Sequence, residues 1–72
     1  MDTKDLIRMA NQIGMFFKAY SPEEAKKEIS THLNNYWEPT MRSALLDYVG
    51  AGGKDLDAVV IAALPLVRRP LS

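Results

Sequence analysis

His32 is the only histidine in the chain and its only ordinary base near neutral pH. A catalytic histidine needs an orienting group and a nucleophile or substrate pocket beside it. The sequence offers no second histidine and no cysteine. Tyr36, one helical turn on, is the natural neighbour of His32, which reads as a histidine on a helix flank. Gly50-Ala51-Gly52-Gly53-Lys54 has the look of the end of a phosphate-binding loop. That motif needs a Gly where Tyr48 stands, a Ser or Thr where Asp55 stands, and a preceding strand. A helix stop followed by a turn accounts for the segment better. Asp55 and Asp57 lack the further oxygen ligands of a calcium loop and read as helix caps.

Binding chemistry is better represented than catalytic chemistry. Trp37 and Arg42, on either side of Pro39, are residue types favoured at interface hot spots. Arg8, Asn11 and Gln12 form a donor-rich polar group on the first helix. The candidate partner-binding residues are therefore Arg8, Asn11, Gln12, His32, Trp37 and Arg42, with no catalytic, cofactor-binding or metal-ligating residue among them. The competing roles are structural: a Trp filling the corner between two helices, and polar groups that are merely solvated.

The elements that position these residues are helices. Asp2 or Thr3 can cap a first helix running to about Ala19, on which Leu6, Ala10, Ile13, Phe17 and Tyr20 form one apolar stripe. Met9 and Phe16 widen the stripe, and Met15 falls within the polar face. Gly14 sits mid-helix at a cost of about 1 kcal/mol against Ala, which the close approach of another backbone would justify. Ser21-Pro22-Glu23-Glu24 is the clearest helix start, with a capping Ser, a Pro in the first turn and a Glu placed for a capping box. The second helix turns Ala25, Ile29, Leu33 and Trp37 inward, leaving Lys26, Lys27, Glu28 and Asn34 to solvent. Pro39 bends the chain near Glu38. The third helix presents Met41, Leu45 and Tyr48 inward and stops at the glycines from Gly50 to Gly53. Asp55 or Asp57 starts a fourth helix, apolar around nearly its whole circumference, and Pro65 ends it. In so small a protein such a helix implies a partner chain. The expected fold is all-α, a small bundle of about four short helices forming one domain over 1–72, with 1–3 and 66–72 as loose ends.

Composition narrows the function classes. A chain of 72 residues buries only roughly 60% of its unfolded surface, so its stability alone is marginal. The absence of cysteine excludes disulfides, thiolate metal sites and cysteine-ligated iron–sulfur clusters, and fits a cytoplasmic setting. Nine basic and nine acidic residues cancel, and the basic ones are interleaved with acids, so nucleic acid is not an expected partner. The apolar run from Ala58 to Leu64 is too short to span a bilayer, and the N-terminal residues lack the order of a secretory signal.

Three blocks carry a resemblance. They are Leu6-Ile7-Arg8-Met9-Ala10-Asn11-Gln12-Ile13-Gly14-Met15-Phe16-Phe17, then His32-Leu33 through Tyr36-Trp37-Glu38-Pro39-Thr40-Met41-Arg42, then Ala51-Gly52-Gly53. In order and approximate spacing the chain resembles the delta subunit family of NAD-dependent formate dehydrogenases from Leu6 to about Leu64. It departs from that family's usual pattern at Thr40, where an Arg is more frequent, and at Ala58, where a Pro is common. The resemblance implies a non-catalytic accessory subunit of a cytoplasmic complex. Its partner would be the catalytic (alpha) subunit, which oxidises formate at a molybdenum or tungsten pterin, while iron–sulfur clusters and FMN in partner subunits pass electrons to NAD. The implied role is assembly of that subunit or retention of its cofactor. Two other readings stand beside it: a small enzyme using His32, and a free-standing homo-oligomeric helical adaptor or regulator unrelated to formate metabolism.

Overall fold

The computed structural model describes residues 2–69. They form four helices: α1 (Thr3–Phe16), α2 (Pro22–Tyr36), α3 (Pro39–Gly50) and α4 (Ala58–Ala63), the last running into a 3-10 turn at Leu64–Leu66. No strand occurs among the described residues. The all-α expectation holds, with each of the four helices where its periodicity put it.

Asp2 caps α1, its carboxylate accepting the Lys4 backbone N–H at 3.3 Å. The helix ends at Phe16, three residues short of the expected Ala19. The chain must reverse before the Ser21 cap of α2, and it does so through tight turns, Lys18 N–H to Met15 C=O and Tyr20 N–H to Phe17 C=O. Leu6 and Ala10 are buried and Ile13 and Phe17 half-buried, as the stripe required. Tyr20 lies beyond the helix end, so it leaves the stripe, stays 46% exposed and meets Phe17 edge-on at 5.4 Å.

Ser21 caps α2: its hydroxyl oxygen accepts the Glu24 N–H at 3.3 Å and its O–H donates to the Glu24 carboxylate at 3.0 Å. The carboxylate thus closes the box on the hydroxyl instead of the Ser21 N–H. Ala25, Ile29, Leu33 and Trp37 form the buried row that four-residue spacing demands. Asn34, expected in solvent, is half-buried and hydrogen-bonded to the C-terminal segment. Glu38 takes an extended conformation (ψ 152°) and Pro39 opens α3. Leu45 is the buried anchor of α3, with Met41 and Tyr48 half-buried. Beyond it Gly52 and Gly53 adopt φ of 128° and 65°, and the Tyr48 hydroxyl donates to the Lys54 carbonyl at 2.7 Å, closing the turn.

α4 lies across α1 and α2. A Cβ on Gly14 would stand 2.8 Å from Val60 Cγ2 and 3.3 Å from Val59 Cγ1. The expected close approach is real, but it is made by side chains of α4 and not by its backbone. Val60, Ala63 and Leu64 are buried, and the exposed residues of α4 are the small Ala58 and Ala62. The inference of a partner from this helix is therefore corrected. Six residues of α4 are few enough for this chain's own elements to cover their bulk. The exposed large apolar side chains stand elsewhere: Met15 (70%), Phe16 (75%), Tyr20 (46%), Tyr36 (75%) and Leu66 (53%).

The residues expected as loose ends, 1–3 and 66–72, are described only in part. Asp2 caps, Thr3 is helical, and the chain from Leu66 to Arg69 is held down with Val67 buried. Met1 and residues 70–72 lie outside the described residues.

Candidate partner-docking site

The C-terminal halves of α1 and α2 leave a seam between them. On α1, Met9, Gln12, Ile13 and Phe16 recur at the three- and four-residue steps that share a helix face. On α2, His32 and Tyr36 are one turn apart with ring centroids at 5.0 Å. Phe17, edge-on to Phe16 at 4.9 Å, and the buried Trp37 complete an open groove of about 600 Å³. Its polar side chains are Gln12, His32, Tyr36 and Trp37 with its indole N–H, and no Asp, Glu, Lys or Arg lines it. Phe16 and Tyr36 are each 75% exposed, so two large rings stand largely uncovered at its edge.

Three of the six residues singled out from the sequence, Gln12, His32 and Trp37, meet in this groove. Trp37 is only 6% exposed, so it contributes wall and not a projecting anchor. Arg8 lies one turn from Gln12 on the same row of α1, paired with Asp5 at 3.1 Å in largely exposed surroundings. Asn11 faces the opposite way. Its amide donates to the Asp55 carbonyl and its oxygen accepts the Asp57 N–H, both at 2.9 Å. It braces the turn before α4, where Asp55 sits at a φ of 71°. Arg42 is neither displayed nor merely solvated. Its guanidinium donates to the carbonyls of Trp37 (2.9 Å), Arg68 (3.2 Å) and Asn34 (3.5 Å). Trp37 and Arg42 are thus joined through the backbone and do not form a shared outward patch.

Phe16 and Tyr36 were not singled out from the sequence as site residues. The signal was present in the paired Phe16-Phe17: a helix end can bury one ring of such a pair and must turn the other away. Among the described residues no Asp or Glu lines the groove beside His32. Among the described residues no three His, Cys, Asp or Glu side chains cluster to hold a metal ion, and no helix is long and apolar enough to cross a membrane.

Among the described residues the fold is all-helical, with an open groove between α1 and α2 that no Asp, Glu, Lys or Arg lines. The sequence matches the family model described as NADH-dependent formate dehydrogenase delta subunit FdsD over residues 5–64 of its 72. The chain belongs to this family of formate dehydrogenase delta subunits. The match takes in the whole groove and stops at Leu64, just before the C-terminal segment that Asn34 and Arg42 hold. No curated protein matched the chain.

Proposed function

We propose that this delta subunit is a non-catalytic accessory subunit that docks, through the α1–α2 groove, on the catalytic subunit of a soluble cytoplasmic NAD-dependent formate dehydrogenase. The observation that carries the proposal is the groove that no Asp, Glu, Lys or Arg lines, flanked by Phe16 and Tyr36. Interface cores are depleted in charge and rich in aromatic residues and Met, which is the composition found here. Burying a ring of this size contributes about 1.5–3 kcal/mol, so Phe16 and Tyr36 together could supply much of the affinity. Gln12 and His32 would fix register by hydrogen bonds, with Arg8 at the rim and Trp37 as wall. Asn11 and Arg42 would act indirectly, by holding α4 and the α2–α3 corner in place. The iron–sulfur clusters would reside in partner subunits, since this chain has no cysteine to ligate them, and the pterin with its molybdenum or tungsten and FMN are proposed to reside there too. The docked subunit would support assembly of the catalytic subunit or retention of its cofactor.

The test is coexpression of the catalytic subunit with the wild-type chain and with the double variant Phe16→Ala/Tyr36→Ala, whose side chains are too exposed to be needed for folding. The expected result is a helical, folded variant that fails to copurify and lowers formate-dependent NAD reduction. Full copurification and full activity would overturn the proposed docking face.

A further inference from the structure

The C-terminal segment is bonded to both helices that meet at the Trp37–Pro39 corner. From α2, the Asn34 amide pairs with an extended backbone on two sides, donating to Leu66 C=O at 3.2 Å and accepting Arg68 N–H at 2.8 Å. From α3, Arg42 Nε donates to Arg68 C=O at 3.2 Å, and Asp47 pairs with Arg69 at 3.0 Å. Val67, extended between these clasps and 7% exposed, inserts its side chain into the core. The guanidinium that holds Arg68 also donates to Trp37 C=O at 2.9 Å, at the C-terminal end of α2. One planar fork therefore joins segment and corner, and Trp37 is a wall of the groove.

We infer that residues 66–69 are a latch, and that its closure, transmitted by Asn34 and Arg42, fixes the angle of the α2–α3 corner and so the Trp37 wall of the groove. A latch across two helices opposes their splaying, whereas bonds to one helix alone would not. With the latch open, Arg42 loses one of its three acceptors and the end of α2 frays more often. The groove then holds its binding shape for a smaller fraction of the time, and apparent affinity for any occupant falls by that fraction. The coupling is a property of the chain alone and stands whether or not the groove's partner is the catalytic subunit.

Amide hydrogen exchange, followed by NMR on the intact isolated chain, tests it. The reporter of the corner is the Trp37 N–H, bonded to Leu33 C=O at 3.1 Å, and that of the latch is the Val67 N–H, bonded to Leu64 C=O at 3.0 Å. Two variants open the latch by different means without touching the groove. Asn34→Ala removes its inner clasp, and Val67→Thr places a hydroxyl in the buried Val67 site. Each is expected to speed exchange at Val67 and also at Trp37, the latter about tenfold, with altered Trp37 indole signals and unchanged exchange in the middle of α1. If Asn34→Ala does not fold, Val67→Thr alone decides. Faster exchange at Val67 with Trp37 amide and indole as in the wild type would overturn the inference.

Discussion

Gly14 and Val60 are packed so closely that a single added methyl group on the glycine would overlap the valine, at 2.8 Å from its Cγ2. Val60 is fully buried in the core, and its β-branched side chain is stiff at χ1, so its methyl does not swing aside freely. Two effects of Gly14→Ala then compete. The helix gains about 1 kcal/mol of propensity, while overpacking costs about 1–3 kcal/mol. The overlap lies in the core, so the second should win. Gly14→Ala is expected to lower stability by up to about 2 kcal/mol, read as a lower urea midpoint at unchanged m-value. A more stable variant would show that α4 does not bear on α1 this tightly.

Asn11 is predicted to be a structural residue. Asn11→Ala leaves the Asp55 carbonyl and the Asp57 N–H without their partner, at a cost of about 1–2 kcal/mol. Asn11→Asp keeps the acceptor but sets a carboxylate oxygen against the Asp55 carbonyl oxygen, among the acidic Asp55 and Asp57, so its loss should be at least as large. Thermal unfolding of both variants checks the order. Equal stability of all three chains would contradict it.

Arg8 should separate stability from docking. Its ion pair with Asp5 is largely exposed, and such pairs contribute about 0–1 kcal/mol. Arg8→Ala is therefore expected to change stability by less than about 0.5 kcal/mol while weakening copurification with the catalytic subunit. A variant that loses stability markedly would mean that the pair matters for the fold instead.

The isolated chain is expected to self-associate through the same uncovered rings. Its melting temperature should rise with protein concentration, and Phe16→Ala/Tyr36→Ala should remove most of that dependence. Differential scanning fluorimetry over a wide concentration range provides the check. A wild-type melting temperature independent of concentration would contradict it.

Much of the fold was legible because its signals are local. The row Ala25, Ile29, Leu33, Trp37 needs only helical spacing, and Ser21, Pro22 and Glu24 mark a helix start by their own chemistry. Tertiary placement was less legible. Nothing in the spacing shows that α1 must stop at Phe16 to leave room for a reversal, so Tyr20 was placed in a stripe it does not join. Nor does periodicity reveal that a short α4 is covered by its own chain, or that Arg68 and Arg69 are held by Arg42 and Asp47. Those bonds pair positions more than twenty residues apart. Of the residues lining the groove, Gln12 stood out as part of the donor-rich group with Arg8 and Asn11, and His32 as the only histidine. Asn11 and Arg42 were recognised as donors but not as donors used within the chain. Phe16 and Tyr36 were passed over because an aromatic residue beside a core stripe looks like core.

Where the delta subunit touches its partner is measured most directly by hydrogen exchange with mass spectrometry, on the chain alone and in complex with the catalytic subunit. Docking through the groove predicts slower exchange in the complex over residues 9–17 and 32–37, with α3 little changed. Protection confined to other segments, or exchange in the groove identical in the free and complexed chain, would contradict the account.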